Sequence, residues 1–199
     1  MNILRLVIAF KAEAAPFIEH YALKPEQTND DFPVYQNGAC ALVLSGPGTA
    51  AAAAATHYLH KVSDQSPNAL WINTGIAGHP HLRLGSVALA GDIIDRAGGR
   101  SWQTAQNVPH QLAVEKLITV DSPETEYKEQ ALYDMEAAGF YPAALLYSRP
   151  ERVQCLKVVS DNNDSPLCNF SIQRAAGLMR EAAPVLISTI NALLQNKTP

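Results

Sequence analysis

Two acidic residues stand at positions where a carboxylate often has a chemical role. Glu136 begins a segment rich in Ala, Leu and aromatic residues, Glu136 to Tyr147, which predicts a helix; an acid is favourable at a helix N-terminus. Asp161 follows an apolar strand predicted over Val153 to Val159. Ligands of open α/β sheets bind beyond the carboxyl ends of the strands, so both carboxylates could face one pocket. Simpler roles remain open, namely helix-end electrostatics for Glu136 and turn formation for Asp161.

The composition is that of one globular domain spanning residues 1–199. The chain is 47% hydrophobic and 17% charged, with a net charge of −4 and no basic run. These values suit a domain with a full core and argue against a nucleic-acid partner. No apolar stretch is long enough to span a membrane, and the N-terminus lacks a signal-peptide pattern. The cysteines at 40, 155 and 168 lack metal-binding spacing, so we expect reduced thiols, no membrane partner and a cytoplasmic location.

Apolar segments that predict strands alternate with segments that predict helices. This alternation is typical of the α/β class with a mostly parallel central sheet. We expect Pro184 to kink or break the last helix, and Ala97 to Pro109 to form a loop. The predicted strands are Ile3–Phe10, Ala39–Leu44, Ala69–Thr74, strand-like residues within 82–94, Leu117–Val120 and Val153–Val159; the predicted helices are Ala12–Tyr21, Ala50–Lys61, Glu136–Tyr147 and Ser171–Leu194.

Two glycine-containing segments follow predicted strands. The first, Ser45-Gly46-Pro47-Gly48-Thr49, precedes a helix, but no Gly-Lys-Ser/Thr follows and the third glycine of a dinucleotide fingerprint is missing. A phosphate loop is therefore excluded, and close passage of the backbone near a ligand or a strand is favoured. The second, Asn73-Thr74-Gly75-Ile76-Ala77-Gly78, has two glycines at a strand end, which indicates a backbone pressed against a neighbouring group.

The order of these motifs resembles a known superfamily. A strand, Glu13 and a helix come first, followed by the two glycine segments and Leu-Arg-Leu-Gly-Ser-Val. Asp-Met-Glu-Ala-Ala and Ser-Asp-Asn-Asn-Asp come last. This order resembles the nucleoside phosphorylase and nucleosidase superfamily, most closely the methylthioadenosine/S-adenosylhomocysteine nucleosidases, from Ile3 to the final helix. The resemblance implies a three-layer αβα sandwich with a mostly parallel mixed sheet.

The resemblance assigns catalytic roles to three carboxyl groups. Asp161 matches the general acid that protonates the leaving base, which requires a site removed from water. Glu136 matches the residue that binds the ribose hydroxyls and stabilises the oxocarbenium-like cation. Glu13 matches the general base that holds and activates the attacking water.

Further residues of the substrate site also follow from the resemblance. Met135 would pack against the sugar, and Phe10 would lie at its 5′ side. Ser160 would orient Asp161 or contact the base. Lys157 stands where the nucleosidases usually carry an arginine near the water, and lysine lacks the planar fork of arginine.

The third predicted strand bears on the choice of nucleophile. Related phosphorylases bind phosphate with an arginine and a serine there, whereas this chain has Asn73 and Ile76, which flank Gly75. Because a dianion without charge or donors is costly to desolvate, water is the expected nucleophile. Phosphorolysis is the alternative reaction. A non-catalytic nucleoside-binding member of the fold is the alternative class, favoured by Ile76, Lys157 and the short middle of the chain.

The expected partners are a small-molecule nucleoside and further copies of the chain. The resemblance implies no metal and no organic cofactor, and a homodimer or larger homo-oligomer in which a neighbour closes the 5′ side of the pocket. It places base contacts between Ala97 and Leu132, the segment least similar to the family. Trp102 and Tyr127 lie there; either could stack on a base, although packing is the commoner role of aromatic residues.

Overall fold

A computed structural model of the protein describes residues 3–27, 32–105, 112–166 and 171–196. Strands and helices alternate along these ranges. The strands are β1 (Leu4–Ile8), β2 (Lys24–Pro25), β3 (Val34–Gln36), β4 (Cys40–Leu44), β5 (Leu70–Gly78), β6 (Val87–Asp95), β7 (Ser101–Gln103), β8 (Ala113–Thr119), β9 (Leu132–Asp134) and β10 (Val153–Asp161). The α-helices are α1 (Lys11–His20), α2 (Thr49–Val62), α3 (Ala137–Ala144) and α4 (Ile172–Gln195), and a 3₁₀ turn spans Pro150–Arg152.

The strands form one mixed sheet that partly closes on itself. β1 is parallel to β4 on one side and to β5 on the other, and β5 is also parallel to β10. From β10 the sheet continues through β6, β8 and β9, and it returns to β5 where Gly78 pairs with Tyr133. The longest pairings, β5 with β10 and β6 with β8, are parallel. This ring brings the ends of β5, β9 and β10 close together.

Helices cover both faces of the sheet. Helices α2 and α3 enclose a core that contains Trp71 and Phe140. Helices α1 and α4 enclose the opposite core, which contains Phe17 and Met179. The burial of these apolar faces is the main favourable contribution to folding. The predicted three-layer αβα fold is therefore confirmed.

The first turns of α2 and α3 touch at a glycine. A Cβ atom on Gly139 would lie 1.9 Å from the carbonyl oxygen of Thr49, so any other residue would push the two helices apart. Gly48, which precedes Thr49, has a φ of 103° that favours glycine. The two glycines together place the glycine turn after β4 beside Glu136, the residue that directly precedes α3.

Some elements differ from the sequence-based expectations. Pro184 was expected to kink or break the last helix. The break is wrong, because α4 is one continuous helix from Ile172 to Gln195, while the kink stays a prediction. Its buried face, which includes Met179, Leu186 and Ile190, packs onto the sheet, and such packing can outweigh the loss of one backbone hydrogen bond.

Four short strands were not predicted, namely β2, β3, β7 and β9. The expected loop from Ala97 to Pro109 contains β7, and its residues 106–109 lie outside the described residues. All four strands are two or three residues long, which is too short for an alternating pattern to reveal.

The described cysteines are buried thiols. Cys40 and Cys155 are free, and burial raises the pKa of Cys40 to about 12. Cys168 lies outside the described residues. Within the described ranges, none of the helices has the length and apolar character that a membrane crossing requires.

Candidate active site

One cavity of about 530 Å³ lies where several strands end. It is bordered by the residues after β1 and β8 and by the last residues of β5, β9 and β10. The three candidate catalytic residues, Glu13, Glu136 and Asp161, all line it. The complete lining is Ala9, Phe10, Glu13, Pro47, Ile76, Ala77, Gly78, Val120, Pro123, Glu124, Tyr133, Asp134, Met135, Glu136, Ser160 and Asp161.

Glu13 is fixed between the ends of β1 and β5. Its Oε2 accepts a hydrogen bond from the Phe10 backbone NH (3.0 Å), and its Oε1 accepts one from the Ile76 NH (3.1 Å). A Cβ on Gly75 would lie 3.1 Å from the same Oε1, so this glycine leaves room for the carboxylate. Burial raises the pKa of Glu13, although both backbone donors oppose the shift. The result is a well-oriented carboxylate with an increased affinity for a proton.

Glu136 lies at the start of α3 and contacts the glycine turn. Its Oε1 accepts a hydrogen bond from the Gly48 NH (3.2 Å), and its Oε2 accepts one from the Met135 NH (3.3 Å). Burial raises the pKa of Glu136 to about 7, although the nearby Lys157 ammonium opposes the shift. Glu136 can therefore exchange a proton near neutral pH.

Asp161 ends β10 and is almost completely buried, with 4% of its surface exposed. The Ser160 hydroxyl donates to its Oδ1, and the Tyr127 hydroxyl donates to its Oδ2. Its carbonyl oxygen accepts from the His79 NH (3.0 Å). Both side-chain oxygens of Asp161 are thus held by hydroxyl donors.

Behind the cavity lies a buried ion pair. The Lys157 ammonium is 2.8 Å from Asp134 Oδ2 and donates to Asn73 Oδ1 at 2.7 Å. Burial alone lowers the pKa of Lys157, but Asp134 and Glu136 outweigh it and bring the value to about 12. Asp134 also accepts hydrogen bonds from the Thr119 hydroxyl (2.7 Å) and from the Ala137 NH (2.8 Å). The lysine charge is therefore compensated within the protein.

The predicted substrate-binding residues fall into two groups. Phe10, Ile76, Met135 and Ser160 line the cavity, whereas Gly75 and Lys157 do not. Gly75 lies against the Glu13 carboxylate, and Lys157 is buried against Asp134 and Asn73. Within the ranges that the structure describes, no group of three or more His, Cys, Asp or Glu side chains is arranged to hold a metal ion.

Sequence reasoning missed Asp134 and the contact of Tyr127 with Asp161. A signal for Asp134 was present, because a lysine inside the apolar strand β10 requires a buried counter-charge. The Asp-Met-Glu motif, which the resemblance places at the substrate site, contains such an acid, Asp134. Tyr127 gave no comparable signal, since its partner is 34 residues away in the chain.

Comparison with known proteins shows similarity at the level of structure. No family model and no curated protein sequence matches the chain. The structure is similar to 5′-methylthioadenosine nucleosidase of Arabidopsis thaliana in its apo form, with a TM-score of 0.82, 20% identity, and coverage of 100% of this chain and 98% of that chain. The chain has the fold of the methylthioadenosine nucleosidases.

Other structures with this nucleosidase fold agree. An MTA/SAH nucleosidase is similar with a TM-score of 0.77, 17% identity, and coverage of 98% of this chain and 97% of that chain. Futalosine hydrolase of Helicobacter pylori strain 26695 is similar with a TM-score of 0.75, 15% identity, and coverage of 96% and 97%. The fold inferred from the order of the motifs is thus confirmed, while the homo-oligomer stays a prediction.

Proposed function

We propose that the protein is an N-ribosyl hydrolase that cleaves a purine nucleoside or a 5′-modified nucleoside with water as the nucleophile. The main support is the convergence of Glu13, Glu136 and Asp161. They come from three distant segments, and all three line one cavity at the carboxyl ends of the strands. A domain that only bound a nucleoside would not need three buried carboxyl groups there, because burying each of them is costly.

The proposed reaction distributes three tasks among these residues. The bond between C1′ and the base nitrogen breaks, and its electron pair goes to the base as Asp161 delivers a proton to a base ring nitrogen. Glu136 accepts hydrogen bonds from the ribose hydroxyls and stabilises the positive charge that develops on the sugar. Water adds to C1′ and gives a proton to Glu13. The products are free base and ribose or a 5′-modified ribose.

The raised pKa of Glu13 suits a general base. A carboxylate with an increased proton affinity takes a proton from water more readily as the new bond forms. Its two backbone donors fix the direction of its oxygens, so a water held by Glu13 would face the sugar from one defined side.

The charge of the cavity favours water over phosphate. Its described lining contains the five carboxyl residues Glu13, Glu124, Asp134, Glu136 and Asp161, and among these described residues it contains neither lysine nor arginine. Arg96 binds Glu124 at 2.6 Å, and Arg100 lies 3.4 Å from Asp95. A phosphate dianion would enter this cavity without charge compensation.

We therefore expect inorganic phosphate to leave the rate of base release unchanged. The test is a panel of purine nucleosides and 5′-modified nucleosides, analysed by liquid chromatography for free base, with phosphate or with chloride at equal ionic strength. Ribose or its 5′-modified form is the expected sugar product. A ribose 1-phosphate product would overturn hydrolysis in favour of phosphorolysis, and no base release from any nucleoside would favour a non-catalytic binding protein.

We also expect kcat/KM to fall below about pH 7, by about tenfold per pH unit. Glu136 must be ionised to stabilise the sugar cation, and its pKa of about 7 means that it takes up a proton below this pH. A pH–rate profile measured under kcat/KM conditions checks this. The matched variant Glu136→Gln should lose activity, and its remaining kcat/KM should no longer show the fall that Glu136 causes below about pH 7. A wild-type profile that stays flat down to pH 5 would contradict the assignment.

A further inference from the structure

The segment 121–131 contributes Pro123 and Glu124 to the cavity lining and is fixed on both sides of Tyr127. Before Tyr127, Glu124 lines the cavity and accepts a hydrogen bond from Arg96 at 2.6 Å. After it, the backbone NH of Glu129 donates to the Tyr133 hydroxyl at 3.0 Å. Tyr127 therefore sits on an anchored loop that is separate from the strands of the sheet.

Tyr127 lies between an aromatic ring and a glycine. Its ring centroid is 5.5 Å from that of Tyr133. A Cβ on Gly78 would lie 2.8 Å from the Tyr127 ring and hydroxyl oxygen, and 2.7 Å from Asp161 Oδ2. Only glycine at this position leaves room for the tyrosine to reach the aspartate. The close packing makes the Tyr127–Asp161 contact a built feature of the site.

The two donors to Asp161 differ in how easily they can be displaced. Ser160 is the preceding residue of the same strand and is 3% exposed, so its hydroxyl stays with Oδ1. Tyr127 is only partly buried and belongs to the loop. A leaving base that takes a proton from Asp161 needs one of these two oxygens, and Oδ2 is the one whose donor is partly exposed and comes from the loop.

We propose that Tyr127 is a positioning residue for Asp161: before substrate binds, the Tyr127 hydroxyl holds Oδ2, and it gives this oxygen up to the base of the substrate. This inference rests on the proposed function, because it assumes that Asp161 is the acid. It implies that the tyrosine controls the affinity for the base through its access to Oδ2 of Asp161.

The donors to Asp161 determine what a substitution can change. The Ser160 hydroxyl donates to Oδ1 and the Tyr127 hydroxyl donates to Oδ2. No lysine or arginine belongs to the described lining of the cavity. Removal of the Tyr127 hydroxyl therefore leaves Oδ2 without this side-chain donor before the base binds.

The test is Tyr127→Phe, which keeps the ring and removes the hydroxyl. We expect kcat to stay near the wild-type value, because the Asp161 carboxyl group and its Ser160 donor are unchanged. We also expect KM to fall by roughly fivefold, because the base no longer displaces a hydrogen bond. Tyr147→Phe is the matched control: its hydroxyl contacts His57 at 2.7 Å, outside the cavity, so both quantities should stay at wild-type values.

Two outcomes separate this inference from the proposed function. If the wild type releases base, a KM that Tyr127→Phe leaves unchanged overturns the role of Tyr127 alone. If the wild type releases none, the proposed function fails, and the Kd of a purine nucleoside is measured by calorimetry instead. A lower Kd for Tyr127→Phe than for the wild type supports the contact, and equal Kd values overturn it.

Discussion

Asp161→Asn should lower kcat by about 10²–10⁴-fold, the usual contribution of general acid catalysis. The amide has the shape of the carboxyl group, and its oxygen can still accept a hydrogen bond from Ser160 or Tyr127, so the fold should be retained. The amide has no acidic proton to give to the base. The base must then leave unprotonated, and an unprotonated base is a poor leaving group. Steady-state kinetics on the best substrate of the nucleoside panel, with circular dichroism of both proteins, measures the effect.

The matched control for this substitution is Asp164→Asn. Asp164 is an exposed residue of the turn after β10, and its backbone NH donates to Asn162 Oδ1 at 3.1 Å. Its carboxyl group does not line the cavity, so kcat should stay near the wild-type value. Equal losses in the two variants would mean that the acid has been assigned to the wrong aspartate. Full activity in both would rule out the proposed mechanism.

The fold was predictable from the sequence in those segments where the local hydrophobic pattern matches the burial that the tertiary structure imposes. All of β10 is buried, and a strand buried on both faces appears in the sequence as a continuous apolar run, so most of it was expected. Asp161 was expected at the strand end because turn residues follow it there. Glu136 was expected at a helix start because of the composition that follows it. The strand-end rule for α/β sheets then placed these two carboxyl groups in one pocket.

The rest of the site depends on contacts between distant segments, which a linear pattern does not contain. The pairing of Gly78 with Tyr133 closes the sheet, and it carries the loop with Tyr127 over Asp161. The three-residue strand β9 has no periodicity of its own, yet it places Asp134 beside Lys157. Such features follow from the closed arrangement of the strands, and they required the structure.

The buried charges show how the cavity can hold several carboxyl groups. Asp134 is neutralised by Lys157, and Glu13 has two backbone donors. Glu136 has two backbone donors and a pKa of about 7, so it can be neutral part of the time. Asp161 has two hydroxyl donors. Each carboxyl group thus has its own hydrogen-bond donors or counter-charge, and none requires a cation within the cavity. A cation there would repel the positive charge that develops on the sugar.

Lys157→Met should destabilise the protein by about 3–5 kcal/mol, the usual cost of removing one partner from a buried ion pair. The substitution leaves Asp134 buried without its counter-charge, although Thr119 and Ala137 still donate to it. Domains of ordinary stability have about 5–15 kcal/mol in total, so the loss should lower the urea midpoint of unfolding strongly. Activity should also fall, because Asp134 holds the backbone at the start of α3, where Glu136 lies.

Two further variants show whether the loss comes from the uncompensated charge. The double variant Asp134→Asn, Lys157→Gln replaces the ion pair with two neutral amides, so it should unfold at a higher urea concentration than Lys157→Met. Lys116→Met removes an ion pair to Glu129 whose side chains are 40% and 49% exposed, and should cost less than about 1 kcal/mol. If Lys157→Met unfolded at the wild-type midpoint, the pair would contribute nothing to stability. If the double variant were no more stable than Lys157→Met, the loss would come from packing around the lysine stem, since the unpaired charge is absent from the double variant.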